Sequence, residues 1–297
     1  MVDNPDRLPE LLIIGAMKSG TTTLYMQLAE RTRVYLAENK EPHWLTKDEV
    51  LTPEGKARYA GVYRNARPDE LLCDASTGYT KLPQHTAVVE RALKVLPDGF
   101  RVVYLVRNPV ERALSHFRHE FVAGSASDKI DDEVRNSENY LNFSRYAMQL
   151  RPWLEALGRE RVRVVTFERF VANQEEVLSE LAEFAGVELQ TASGIPAKAY
   201  NQSKNKPRRN ALWDAIYNSK VYRRLIRPNL PVGLRLRLFK LLLPKTDPSG
   251  LKPKDETLDW LREQLAPDAA ELAEMLGAEP LWPELASLAP PPETVSD

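Results

Sequence analysis

The sequence predicts a three-layer α/β fold: a parallel sheet of about four to five strands flanked by helices, with a helical C-terminal extension. Three observations carry this expectation. Short apolar runs alternate with longer amphipathic ones, the order in which strand–helix units build a parallel sheet. The apolar runs are continuous, as strands covered on both faces require. The first run also feeds a glycine-bounded loop of small and hydroxylated residues, "LLIIGAMKSGTTT" (11–23), that opens directly into a helix. Such a junction is an anion site, because the first helical N–H groups are unpaired and the helix dipole there is positive.

Each element has its own signal. "LLIIG" is the first buried strand, and "TTTLYMQLAER" continues as a helix with Leu24 and Leu28 one turn apart on one face. "LLCDAS" from Leu71 and "RVVYLVR" from Arg101 to Arg107 are further strands. A helix starts at "NPVERALSHFRHEF", with Asn108 as N-cap and Pro109 in the first helical position. "RVRVVTFE" (Arg161–Glu168) is a fourth strand, and "QEEVLSELAEFAG" a helix closed by Gly186. The stretch "DETLDWLREQLAPDAAELAEMLG" reads as a helix broken at Pro267 and followed by a second one.

One domain is expected over residues 1–297, with an α/β core at about 8–205, a basic helical part at about 206–287 and a flexible Pro-rich tail at 288–297. The net charge of -1, with 43% hydrophobic and 28% charged residues, describes an ordinary globular protein and argues against a nucleic-acid partner. Locally the balance differs. Twelve Lys and Arg between Lys204 and Lys245 face the single acid Asp214, an excess of eleven positive charges. The stretch 220–245 reads either as helices covering the site, their arginine stems packed on apolar neighbours, or as a weak membrane-surface contact. One cysteine, Cys73, allows no internal disulfide, and no apolar run approaches the roughly 20 residues of a membrane helix. Both features suggest the cytoplasm.

The loop is the most informative stretch. Its glycines, Gly15 and Gly20, have P-loop spacing, yet Thr21 stands where the phosphate-binding lysine of a triphosphatase belongs, and the lysine is at Lys18. A lysine projecting from within the loop suits a shorter, less charged group, and Thr21, Thr22 and Thr23 add hydroxyl donors. A second anion site is suggested at Arg107, which ends a strand where ligands of open sheets gather, with Ser115 two helical turns further on. Arg107 can equally form a surface ion pair with Glu111 or Glu120. In "AENKEPHWL", Glu38, Glu41 and His43 are candidate bases or solvated loop residues. His116 and His119 are three apart without a carboxylate-rich motif, so no metal site is expected.

These motifs resemble those of sulfotransferases that use 3′-phosphoadenosine 5′-phosphosulfate (PAPS). "GAMKSGTTTLYMQL" is similar to the family's KxGTT loop, which implies that Ser19, Gly20, Thr21 and Thr22 hold the 5′-phosphosulfate while Lys18 neutralises the oxygen bridging phosphorus and sulfur. "YLVRNPVERALSHF" resembles the family's 3′-phosphate motif, with Arg107 and Ser115 at its two ligand positions. "KEPHWL" resembles the KExHFF segment of the heparan sulfate glucosaminyl sulfotransferase branch, in which the Glu is the general base. Glu41 takes that role, His43 is the reserve, and Lys40 and His43 adjoin the acceptor. "CDASTGYTKLP" resembles the branch's acceptor-cleft segment GEKTPxYF, which implicates Ser76 and Tyr79, with Ala75 replacing a lysine. "YNQSKNKPRR" resembles FNxTKGF, a loop closing over the nucleotide. Tyr200 and Lys204 match there, Asn205 replaces the usual Gly, and Lys204, Arg208 and Arg209 are either phosphate contacts or part of a solvated basic loop.

The resemblance covers about residues 8–205 and implies a P-loop-like fold, as in a bacterial cytosolic member, with PAPS as donor and no metal. The acceptor is left open among carbohydrate, glycolipid and small natural-product hydroxyls, with an amine as a further option. A P-loop kinase or other NTP-dependent phosphotransferase is the rival enzyme, and Asp74 would be its nearest magnesium-binding carboxylate. A non-catalytic anion- or lipid-binding module is the rival of another class.

Overall fold

The computed structural model describes residues 7–37, 40–190 and 248–290. Its strands are β1 (Leu11–Gly15), β2 (Val34–Leu36), β3 (Leu71–Asp74), β4 (Arg101–Val106) and β5 (Val162–Thr166). The helices are α1 (Thr21–Arg31), α2 (Pro53–Gly61), α3 (Val88–Val95), α4 (Pro109–Ala123), α5 (Ile130–Asn136), α6 (Asn139–Asn142), α7 (Tyr146–Leu157), α8 (Phe167–Ala172), α9 (Gln174–Ala185), α10 (Asp255–Leu276) and α11 (Pro283–Ala286). The sheet is parallel, in the order β2-β3-β1-β4-β5. All four expected strands are present, and β2 is a fifth.

The continuous apolar runs are explained by burial on both faces. All five residues of β1 are buried, as are the last five of β4. On one face Leu11, Ile13, Val103, Leu105 and Val165 pack with Leu24 and Leu28 of α1 and with Val177, Leu178 and Leu181 of α9. Each fully buried aliphatic side chain of this kind contributes about 1.5–3 kcal/mol, so the ends of β1 and β4 are placed by the core beneath them.

The chain forms two compact units. One comprises Met1–Arg112, Leu141–Asn201 and Trp260–Asp297, and contains the sheet; the other comprises Ala113–Tyr140 and Gln202–Asp259. In the second unit Phe117 stacks on Phe121 at 6.2 Å, Lys254 N–H donates to Asp131 at 2.9 Å, and Arg135 donates to the carbonyl of Glu256 at 2.9 Å.

Helix ends follow the sequence signals. The Asn108 side-chain oxygen accepts from the amides of Val110 (3.1 Å) and Glu111 (3.2 Å), and Gly186 closes α9 in the left-handed conformation. One expectation is corrected: Pro267 does not break the helix, and α10 runs through it from Asp255 to Leu276. Proline in a helix interior costs about 3 kcal/mol, and tertiary contacts on both sides offset it here. Leu265, Ala266, Ala269 and Leu272 are buried. The next residue, Asp268, accepts from the amides of Ala147 and Met148, each at 3.0 Å, and so caps the start of α7.

Burial pushes the Asp268 carboxyl up from 3.8 to about 6 against those amide bonds. The folded state therefore holds this proton more tightly than the unfolded chain does. Its contribution is full below pH 3.8 and is lost as pH rises through about 6. Asp268→Ala should lower the unfolding free energy by about 1–3 kcal/mol by leaving two amides without an acceptor. In denaturant titrations at stepped pH, the wild type should lose stability relative to Asp268→Asn as pH rises from about 4 to about 6.

Candidate active site

The carboxyl ends of β1, β3 and β4 lead into the three segments that carry the predicted chemistry: the loop before α1, the turn after Asp74, and Arg107. Order β3-β1-β4 makes these three neighbours. Ligands of open parallel sheets gather at this edge.

The loop enters α1 through Gly20, whose φ is 91° and which provides no side-chain cap, leaving the helix start open to an anion. A β-carbon at Gly20 would lie 2.8 Å from the Phe167 ring, and one at Gly15 would lie 2.2 Å from Thr80 Oγ1. Both positions need the space that glycine leaves. Ser19 is fully buried. Its hydroxyl slightly eases the Tyr146 pKa from nearby, yet it meets no partner in hydrogen-bond geometry. An orphaned buried hydroxyl in a loop that opens a helix fits an anion with oxygens to spare. Thr21 is buried, Thr22 and Thr23 are half-buried, and Lys18 stands in the loop with φ 72°.

Glu41 stands at the middle of a compact polar group. Thr77 Oγ1 donates to its Oε2 at 2.9 Å, Lys40 Nζ donates to its Oε1 at 3.0 Å, and His43 Nε2 lies 3.4 Å from Oε2. Lys40 Nζ also donates to Thr22 Oγ1 at 2.5 Å, so one ammonium joins the carboxylate to the loop. Burial alone would raise the Glu41 pKa. The His43 bond, the charge and bond of Lys40, and the Thr77 bond together bring it from 4.5 down to about 2. Among the described residues, four non-glycine positions have positive φ: Lys18, Glu41, His43 and Ala87. Three of these four are the residues singled out for catalysis, and strained backbone of this kind persists where its surroundings dictate it.

Ser76 and Tyr79, expected at an acceptor, lie behind this group. Both are buried, and their hydroxyls donate to the Asp74 carboxylate at 2.6 and 2.7 Å. From the sequence, Asp74 offers itself only as a candidate magnesium ligand. The carboxylate is instead fully buried and accepts a third hydroxyl, from Tyr59, at 2.7 Å. Burial raises its pKa, while the bonds from Ser76, Tyr79 and Tyr59 pull it back. Among the described residues no cluster of three His, Cys, Asp or Glu is arranged to hold a metal.

Arg107 follows β4 directly. Tyr146 OH donates to its carbonyl at 2.8 Å and accepts from its amide at 3.3 Å. Its guanidinium donates to Glu111 at 3.3 Å and lies 5.2 Å from the centre of the Phe167 ring. The ion pair is thus with Glu111; Glu120 is taken by His116 at 3.2 Å and by the Tyr140 hydroxyl. Phe167 has no place in the sequence motifs, yet its ring lines the space above Gly20 and lies within cation–π distance of Arg107. Its only signal was an aromatic residue just past a strand's carboxyl end. Ser115 is half-buried on α4, in the second unit. Tyr200, Lys204, Arg208 and Arg209 lie outside the described residues.

The sequence profile of the Sulfotransferase family matches residues 30–191, more than half of the chain. The chain belongs to the sulfotransferase family. The chain is 28% identical over 244 residues to a bifunctional heparan sulfate N-deacetylase/N-sulfotransferase of Drosophila melanogaster, a match covering 68% of this chain and 23% of that protein. It is 22% identical over 190 residues to heparan sulfate glucosamine 3-O-sulfotransferase 3B1 of Mus musculus, covering 61% of this chain and 47% of the relative. The chain thus spans less than half the length of either relative. Among solved structures, a sulfotransferase from Alicyclobacillus acidocaldarius superposes with a TM-score of 0.63 at 18% identity, over 94% of this chain and 98% of that one. That likeness establishes the shared fold. Among the described residues no helix is long and apolar enough to cross a membrane.

The depressed pKa of Glu41 makes a signed prediction. Its ionised form supports the fold above pH 4.5, and that support is lost as pH falls toward about 2. In acid denaturation, the stability gap between wild type and Glu41→Gln should therefore be widest above pH 4.5 and close on acidification. Lys40→Met should raise the Glu41 pKa, read by NMR titration of the carboxyl carbon; an unmoved value would remove Lys40 from the account.

Proposed function

We propose that this sulfotransferase transfers a sulfuryl group from PAPS to a hydroxyl of a carbohydrate, glycolipid or small natural-product acceptor, with an amine as a lesser alternative. One observation carries the reading: Lys40 touches Thr22 at 2.5 Å and Glu41 at 3.0 Å, so a carboxylate base is tied to an anion-binding loop. The lengths over which the chain resembles the heparan sulfate sulfotransferases support the same class of reaction.

When bound, PAPS supplies the sulfuryl group, its sulfur–oxygen bond to the 5′-phosphate breaking as the acceptor oxygen bonds to sulfur. The residues of this chain do the rest. Ser19, Thr21, Thr22, Thr23 and the open amides at the start of α1 hold the 5′ end. Lys18 balances negative charge on the oxygen that departs. Arg107 suits the 3′-phosphate with its planar donor fork, and the motif that carries it adds the hydroxyl of Ser115. The match to FNxTKGF adds Tyr200, Lys204, Arg208 and Arg209 to the nucleotide side.

Glu41 takes the acceptor proton. At about 2, its pKa keeps it ionised throughout the neutral range. So acid a carboxylate draws the proton only as bonding to sulfur makes the hydroxyl acidic, which is when a transition-state base is needed. His43 is the weaker candidate, since its Nε2 faces Glu41 and its Nδ1 is buried without a partner. Lysine and amide donors supply the positive field, so the reading invokes no metal. The single cysteine, buried Cys73, goes with a cytoplasmic setting.

The test is turnover of PAPS with a panel of glucosamine oligosaccharides, octyl glucoside and simple phenols, read by product mass. Glu41→Gln should lose about 10²-fold or more in kcat while still binding 3′-phosphoadenosine 5′-phosphate. Full turnover in that variant removes Glu41 as the base. Arg107→Ala should weaken nucleotide binding at least about tenfold, as expected on losing a charge-assisted pair. Thermal stabilisation by ATP with magnesium, and none by 3′-phosphoadenosine 5′-phosphate alone, would point to phosphoryl transfer instead.

A further inference from the structure

Asp74 has no exposed surface, and no role in the transfer described above needs its charge. Three hydroxyls nevertheless converge on it: Ser76 on Oδ1 at 2.6 Å, and Tyr59 and Tyr79 on Oδ2 at 2.7 Å each. Each of the three hydroxyls donates to the carboxylate and so turns its single proton inward. What remains outward on Ser76 and Tyr79 is a lone pair. Those lone pairs meet backbone amides of the segment that carries the base: His43 N–H donates to Ser76 Oγ at 3.1 Å, and Leu45 N–H reaches Tyr79 OH at 3.5 Å.

The amides at 43 and 45 thus hang on hydroxyls whose direction Asp74 dictates. Between them and Lys40 the chain makes its left-handed turns, with φ of 62° at Glu41 and 56° at His43. Such turns are unfavourable for non-glycine residues and must be held from outside. From the same short turn as Ser76 and Tyr79, Thr77 bonds the Glu41 carboxylate itself. One buried carboxyl group therefore fixes the backbone of the base, while its sequence neighbours fix the side chain.

We infer that Asp74 is the positioning residue of the transfer reaction: through Ser76 and Tyr79 it holds the Glu41–His43 turn in the geometry that aims the Glu41 carboxylate. The inference rests on Glu41 being the base of a sulfuryl transfer. Replacing Asp74 by Asn would introduce an NH₂ donor, leave one hydroxyl free to reverse, and let it offer a proton to an amide that can only donate.

The experiment uses the full chain, PAPS and the panel acceptor that the wild type turns over fastest. Misplacement of a catalytic group by about 1 Å can cost about 10²-fold, so Asp74→Asn should lower kcat by about 10- to 100-fold. Affinity for 3′-phosphoadenosine 5′-phosphate and KM for PAPS should stay within about twofold, since the donor loop is untouched. Ser76→Ala keeps the carboxylate and both tyrosine donors, and should lower kcat several-fold with the same split. The double variant should be no worse than Asp74→Asn alone, because both cut one linkage.

Wild-type kcat in either single variant overturns the inference and leaves the proposed function standing. So does a fall in nucleotide affinity parallel to the fall in kcat, the mark of general damage. If Asp74→Asn does not fold, Ser76→Ala decides by the same criteria. A wild type that binds the nucleotide but transfers nothing from PAPS to any panel member overturns both readings together.

Discussion

Parallel strands end on one edge, and this constraint organises everything chemical in the molecule. Because β1, β3 and β4 are neighbours running the same way, whatever follows them is brought together regardless of distance in sequence. The loop before α1, the turn after Asp74 and Arg107 are separated by tens of residues in the chain. The sheet collapses that separation. Burial of β1 and β4 on both faces then sets where the edge lies, so hydrophobic packing positions polar chemistry it never touches.

The two carboxylates of this region illustrate how environment sorts identical groups. Asp74 is fully buried and Glu41 half-buried, and burial pushes both toward neutrality. Glu41 is answered by a cation, Lys40, and by His43 and Thr77, and its pKa falls to about 2. Asp74 is answered by three neutral hydroxyls, and its pKa stays raised. A cation compensates lost hydration with charge, whereas hydroxyls do so only with dipoles. The first arrangement suits a group that must meet a reactant; the second suits one that must never leave its place.

Much of this was legible in the sequence, and what was not has identifiable physical causes. Continuous apolar runs announced β1, β3 and β4, since strands covered on both faces leave no polar alternation; β5, at the sheet edge with Arg163 exposed, was marked by its valines. Strand β2 is only three residues, and two of them are half-exposed at the sheet edge, which leaves too little pattern to read. Local chemistry correctly marked Asn108 and Gly186, where the partners are adjacent amides. It failed at Pro267, whose tolerance depends on α7 more than a hundred residues away. The site divides in the same way. Lys18, Glu41 and Arg107 stand in short motifs, but the meaning of Asp74 depends on Tyr59 and Tyr79, and that of Phe167 on Gly20 and Arg107. Such convergence is a property of the fold and leaves no spacing in the chain.

The amides of His43 and Leu45 have a consequence for how motion is distributed. They belong to a short connection that holds only a single 3-10 turn, Trp44–Thr46, and such segments normally exchange their amide hydrogens with solvent quickly. Here the acceptors are hydroxyls sunk in the interior and locked to a buried carboxylate. Those two hydrogens can leave only when the interior itself opens, so they report on the core from a position at the active-site edge. Slow hydrogen exchange is therefore expected of this irregular backbone, with the segment that carries Glu41 breathing with the interior and not with the surface.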